Sequence, residues 1–295
     1  MELRELRYFL AVAQEQNISK AAEKLYISQP SLSKQMQNLE REIGQKLFER
    51  GSKRITLTDA GMLLRKRARE MIDLYNKTEA ELSAPPADMS GVVYIGGGES
   101  YAMRAVARAA RSVRDLCPGV RFRIYSGDAS DVTEKLEKGL IDFGVFVDSP
   151  DLTGYESIAL PFTDRWGVFM RRDDELSAKD RITADDLEGK PLICSDQAMA
   201  QELLVKRLGM SPERVRPVAT YNLLYNASLL VAEGMGYALG LDRLISTCGD
   251  SELCFRPLSP AVETRLDLAW KKYTVLTKPA ALFLEQLERV LTDAS

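Results

Sequence analysis

Residues 18–43 constrain the fold more tightly than any other stretch of the chain. Two short amphipathic patterns, Ile18-Ser19-Lys20-Ala21-Ala22-Glu23-Lys24-Leu25 and a run from Gln29 onward, flank the polar turn Tyr26-Ile27-Ser28. The small side chains of Ala21 and Ala22 let one helix approach another closely. Ser28 has a hydroxyl that can accept from a free N–H at the start of the second helix. Pro30 then falls in the first turn, where its missing N–H costs nothing. Leu32, Met36, Leu39 and Ile43 recur at spacings of four, three and four, which makes them one buried stripe. Gln29, Ser31, Ser33, Lys34, Gln37, Asn38 and Arg41 fall on the remaining surface. Amides and hydroxyls can read base edges and cations can meet phosphates, so the pattern reads as a helix-turn-helix suited to a major groove.

The flanking sequence completes a three-helix unit with a wing. Leu3, Leu6, Phe9, Leu10 and Ala13 supply the apolar face of a preceding helix. Residues 47–58 hold two short extended runs around Gly51-Ser52, with Arg50, Lys53 and Arg54 at the tip. Thr58 can cap a long helix beginning near Asp59. On that helix Leu64, Ala68, Met71, Tyr75, Thr78 and Leu82 alternate by four and three, the spacing of a short coiled-coil seam and hence of dimerisation. Charge divides along the chain: residues 1–69 carry 14 Lys and Arg against 8 Asp and Glu, whereas residues 70–295 carry 26 against 35. The basic head predicts affinity for phosphates that weakens with salt.

The composition breaks at Ser83-Ala84-Pro85-Pro86-Ala87-Asp88, because paired prolines cannot continue a helix. Beyond it, strand and helix signals alternate. Strands are expected at 92–95, 120–125 and 141–147, with helices at 100–116 and 130–138, the alternation of a parallel α/β sheet. A second set follows, with strands at 166–170, 191–194, 215–219 and 236–241 and helices at 199–208 and 223–233, enough for a second lobe. Open α/β sheets bind ligands beyond the carboxyl ends of their strands. That rule nominates Gly97, Gly98, Glu99, Ser100 and Tyr101; Ser126, Gly127 and Asp128; Val147 and Asp148; Ser195, Asp196 and Gln197; and Thr220, Tyr221 and Asn222. A small anion could accept from N–H groups at the helix starts near Ser100 and Gln197. Glu99 opposes this: unless it points away, its charge disfavours an anion and favours an amine. Such residues also build ordinary strand-to-helix turns.

Several stretches match a known family at its spacing: Leu6-Arg7-Tyr8-Phe9, Ala21-Ala22, Ser28-Gln29-Pro30-Ser31-Leu32-Ser33, Leu39-Glu40, Gly44, Leu47-Phe48-Glu49-Arg50 and Leu57-Thr58-Asp59-Ala60-Gly61. Residues 1–82 resemble the winged helix-turn-helix and linker helix of the LysR-type transcriptional regulators. The resemblance implies that Gln29, Pro30, Ser33 and Lys34 approach bases while Arg50, Lys53 and Arg54 hold the duplex. Lys34 departs from the arginine more usual there and lacks its bidentate fork, so a phosphate contact competes with base reading. Val231-Ala232-Glu233-Gly234-Met235-Gly236-Tyr237-Ala238-Leu239 extends the resemblance to a two-lobed α/β effector domain similar to periplasmic solute-binding proteins. The implied organisation is a DNA-binding domain at 1–58 and a linker helix and hinge at 59–90. Lobe I then comprises 91–161 plus 267–295, and lobe II comprises 162–266. The implied protein is a homo-oligomer, a dimer or a dimer of dimers, on an imperfectly palindromic operator. It responds to a small metabolite, expected to be an acid, held against residues such as Ser100, and it engages RNA polymerase. The alternative is a solute-binding module whose N-terminal part only mediates protein association.

Enzymatic readings find little in the sequence. The chain has no histidine, the commonest general base and metal ligand, and no acid, lysine or cysteine pair stands at a catalytic spacing. Gly96-Gly97-Gly98 lacks both the third glycine of a dinucleotide fingerprint and the Gly-Lys of a P-loop. Those glycines are expected instead to admit a ligand to the backbone. Cys117, Cys194, Cys248 and Cys254 are scattered, as in reduced cytosolic thiols, although Cys248 and Cys254 are close enough to raise a redox role. No cofactor, metal or membrane span is expected, and since the opening residues lack a signal peptide's pattern, these absences and the family resemblance together lead to the expectation of a cytoplasmic location.

Overall fold

The computed structural model describes residues 1–50, 54–83, 89–148, 152–196, 203–210, 215 and 217–293. The chain forms two compact units, residues 1–84 and 85–295. The first opens with α1 (Leu3–Glu15), α2 (Ile18–Lys24) and α3 (Gln29–Ile43). A capping box between Glu2 and Glu5 starts α1. Asn17 caps α2 by accepting from the Lys20 N–H at 3.1 Å, and Ser28 caps α3 by accepting from the Ser31 N–H at 3.4 Å. Leu6, Phe9, Val12, Ala21, Ala22, Leu32, Met36 and Leu39 form one buried core. Ile43, predicted to end the buried stripe, is exposed in the last turn, where the chain leaves the core through Gly44.

Strands β1 (Phe48–Arg50) and β2 (Ile55–Leu57) pair antiparallel as the wing, and Lys53 lies outside the described residues. One carboxylate fixes the wing's base. Glu40 of α3 accepts from the Leu47 and Phe48 N–H groups at 2.8 and 3.2 Å. Thr58 accepts from the Gly61 N–H at 3.0 Å and so caps α4 (Asp59–Ser83). The predicted dimer seam is corrected here. Ala68 is fully buried in the core of this unit and Leu64 packs on it, so α4 turns that part of the stripe inward against α1. Tyr75 also meets α1, with the Arg7 guanidinium 5.8 Å from its ring centre. Of the predicted seam, Met71, Tyr75 and Leu82 stay exposed, beside Leu63 and Leu74.

The second unit holds two sheets. The first has the order β4 (Val120–Ser126), β3 (Gly91–Gly97), β5 (Phe143–Val147), β13 (Leu266–Lys271), β6 (Tyr155–Ala159). On β3, Val93 and Ile95 face a core shared with α5 (Met103–Leu116) and α10 (Lys278–Thr292), while Tyr94 faces α6 (Ala129–Glu137). The second sheet has the order β11 (Leu253–Pro257), β7 (Asp164–Arg171), β10 (Tyr237–Leu241), β8 (Leu192–Ser195), β9 (Pro217–Tyr221), with β12 (Glu263–Thr264) also paired to β7. On β7, Val168 and Met170 face one core, and Phe169 faces the other beside α9 (Leu224–Ala232). The second unit also holds the short helices α7 (Ala184–Leu187) and α8 (Leu203–Leu208) and a 3-10 turn at Glu175–Ala178. The chain passes between the sheets twice, at residues 160–163 and around Arg265.

Both sheets are mixed, not parallel as expected. Strands β3, β4 and β5 run parallel, but β13 returns antiparallel between β5 and β6. Likewise β7 runs antiparallel to β10 and β11. The cause is the double crossing itself, since a strand arriving from the other sheet is not bound by the right-handed helix crossover that keeps βαβ strands parallel. Strands β6 and β11 were not anticipated, because their short runs lack the continuous apolar character of their neighbours.

Candidate functional site

A cleft with about 660 Å³ of open space, including the part continuous with solvent, lies between the two sheets. Of the residues nominated from sequence, Gly98, Glu99, Gly127, Asp128, Val147, Ser195, Asp196, Tyr221 and Asn222 line it. Each sits where a strand's carboxyl end meets a turn, as the topology requires. Trp166, Leu224, Leu241 and Leu244 also line it and were not nominated. Trp166 and Leu241 are register partners on β7 and β10, so the mixed pairing that sequence reading missed brings them to the wall together. Gln197 lies outside the described residues.

Glu99 and Leu224 join the two sides of the cleft. The Leu224 N–H, at the start of α9, donates to Glu99 Oε2 at 2.6 Å. A carboxylate at a helix N-terminus gains both an orphan amide donor and the positive end of the helix dipole. Glu99 therefore occupies the kind of place a ligand anion would take. The Tyr221 hydroxyl donates to the Leu239 carbonyl at 2.6 Å, and burial pushes its pKa far up, so it stays a neutral donor. Asp128 caps α6 by accepting from the Asp131 N–H at 2.8 Å.

Ser100, Tyr101 and Ser126 do not line the cleft. Ser100 is buried, and its hydroxyl donates to Asp164 Oδ2 at 2.5 Å while accepting from the Ala102 N–H at 2.9 Å. Asp164 begins β7 just past the first crossing, is fully buried, and also accepts from the Tyr101 N–H and from Arg243 Nη2 at 3.2 Å. Burial raises its carboxyl pKa, opposed by the Ser100 hydroxyl and the Arg243 charge. Arg243 further donates to the Thr163 carbonyl at 2.6 Å and stacks 4.2 Å from the Tyr101 ring centre. Ser100 and Tyr101 thus tie the end of β3 to the start of β7. Asp148 plays a similar part at the second crossing, exchanging backbone and side-chain hydrogen bonds with Arg265.

The glycine run packs rather than cradles. A Cβ on Gly96 would meet Ile141 at 2.7 Å and one on Gly97 would meet Val145 at 2.9 Å, so only Gly98 borders the cleft. Cys194 and Cys254 are buried, with Cys194 pushed up to about 11 and Cys254 also raised, whereas Cys248 is exposed.

In the first unit, Gln29, Pro30, Ser31, Lys34, Gln37 and Arg41 are exposed on α3, and Ser33 is half-buried. Arg50 ends β1, and Arg54 stands exposed before β2. A polar helix face beside a two-stranded wing is thereby presented on a scaffold whose α3 buries Leu32, Met36 and Leu39 inside. Residues 3–62 match the family described as bacterial regulatory helix-turn-helix protein, lysR family, and residues 86–292 match the LysR substrate binding domain. The chain belongs to the LysR family. Among its LysR relatives is the Hca operon transcriptional activator HcaR of Escherichia coli, 30% identical over 92% of both chains. The LysR family regulator CbnR shares the fold, with a TM-score of 0.78 at 22% identity over 99% of both chains. CbnR bound to its target DNA also matches, with a TM-score of 0.76 at 22% identity over 98% of this chain and 100% of that one. Among the described residues, no helix is long and apolar enough to cross a membrane.

Proposed function

We propose that this LysR-family regulator binds an imperfectly palindromic operator in the cytoplasm as a dimer or a dimer of dimers. A small molecule in the cleft between its lobes changes the DNA complex and thereby RNA polymerase recruitment. In this reading Gln29, Pro30, Ser31, Ser33 and Lys34 face the major groove. Arg50, Lys53 and Arg54 hold phosphates from the wing. The supporting observation is the pairing, in one chain, of a polar-faced α3 with a cleft across which Glu99 accepts from the Leu224 N–H. CbnR, which has this fold, has been seen on its target DNA. The exposed face of α4 through Met71, Leu74 and Leu82 supplies the dimer contact. Two-fold related α3 helices then meet half-sites about 34 Å apart, or a multiple of it.

Selection of genomic fragments by the full-length protein, followed by footprinting, tests the DNA reading. A protected site is expected, with Gln29→Ala and Ser33→Ala each removing its sequence preference while Trp fluorescence and melting stay as in wild type. Equal protection by both variants would show that α3 does not read the site.

A further inference from the structure

The cleft's charge is one-sided. Glu99, Asp128 and Asp196 line it, and among its described lining residues there is no lysine or arginine. The cations nearby are engaged elsewhere. Arg243 serves Asp164, Asp242 and the Thr163 carbonyl, and Arg207 acts on Asp148, which like Arg207 does not line the cleft. The three carboxylates do not converge on a point: no group of three or more acidic or cysteine side chains among the described residues could hold a metal ion. They are instead distributed over the cleft wall.

A second observation points to the same cavity. Trp166 is 7% exposed and lines the cleft, and its Nε1–H has no hydrogen-bond acceptor among the described residues. A buried N–H left unpaired carries a desolvation cost that a ligand acceptor removes. The aromatic face of Trp166 and the side chains of Leu241 and Leu244 supply apolar wall between the charges.

We infer that the cleft takes a small organic cation, an amine- or guanidine-bearing metabolite that also carries an acceptor oxygen for the Trp166 N–H, such as a basic amino acid. This rests on the effector reading above and replaces the expected metabolite acid. An acid would bring a further negative charge against three carboxylates in a partly water-excluded site, whereas an ammonium meets them with the sign they lack. Glu99 is the specificity-determining side chain. Its carboxylate can hold the Leu224 N–H with one oxygen and present the other lone pairs to the cation, so ligand and lobe contact reinforce each other.

The test is the thermal melting of full-length protein at fixed ionic strength with L-lysine, L-ornithine or L-arginine, set against succinate, glutarate or benzoate. At least one basic amino acid is expected to raise Tm while the three acids do not. The same compound should change the Trp166 fluorescence of a Trp270→Phe protein. Its Kd should weaken about tenfold or more in Glu99→Gln, a ratio equal to about 1.4 kcal/mol. Asp128→Asn is the second variant, because asparagine keeps the α6 cap while removing the charge; it too should weaken binding. An acid that raises Tm while the amines do not overturns the cation assignment and leaves the effector reading standing. Undiminished amine affinity in both variants also overturns it. Silence of all six compounds counts against the cation assignment and the effector reading together.

Discussion

Replacing Asp164 with alanine removes the acceptor that joins the end of β3 to the start of β7. Two buried donors, the Ser100 hydroxyl and the Tyr101 N–H, lose their partner, at about 1–3 kcal/mol each. The Arg243 side chain is 40% exposed, so its contact is discounted because water can replace it. Relief of the buried carboxylate offsets part of the loss, which leaves a net destabilisation of about 2–4 kcal/mol. For a unit of this size that corresponds to roughly 4–16 °C in Tm. Both tryptophans, Trp166 and Trp270, lie in the second unit, so intrinsic fluorescence follows its melting alone. Asp164→Asn isolates the charge, since an amide oxygen can still accept. Burial raises the Asp164 pKa above its ordinary 3.8, so ionisation costs the folded state. That cost is absent below the unfolded value and is incurred as pH rises through the folded one. Wild type should therefore gain stability relative to Asp164→Asn as pH falls from about 7 towards 4. A Tm for Asp164→Ala within about 1 °C of wild type at neutral pH would refute the reasoning.

Other substitutions probe the remaining links. Glu40→Ala strips the acceptor from the Leu47 and Phe48 N–H groups and should cost about 1–3 kcal/mol in the first unit, measured by circular dichroism. Leu32→Ala, at a fully buried site, should cost about 2–5 kcal/mol by leaving a cavity under α3. An aromatic disulfide reagent at neutral pH should label exposed Cys248 well before Cys254, whose thiol is buried and raised in pKa; equal rates would revive a redox pairing.

The first unit was largely legible in the sequence because its signals are local. Ser28, Pro30 and the Leu32-Met36-Leu39 spacing fix α3 without reference to any other part of the chain, and Thr58 does the same for α4. The inward turn of Leu64 and Ala68 was hidden, because a heptad spacing states that a face is apolar but not whether it meets a partner or the same chain. In the second unit the strand-end rule found nine of the lining residues, since a carboxyl end is a local property of each strand. Trp166 escaped it because only the antiparallel pairing of β7 with β10, a contact across more than 70 residues, brings its ring to the cleft. Ser100 misled for a similar reason: its partner, Asp164, sits 64 residues away.

The central claim is that occupancy of the cleft changes the complex on DNA. The most direct test is a nuclease footprint of the full-length protein on its selected operator, taken with and without a saturating amount of the compound that raises Tm most. The account predicts a change in the protected length or in the cleavage pattern within it, weakened when Glu99 is glutamine. A footprint unchanged at saturating ligand would contradict it, since a ligand that binds all DNA-bound arrangements equally shifts none of them.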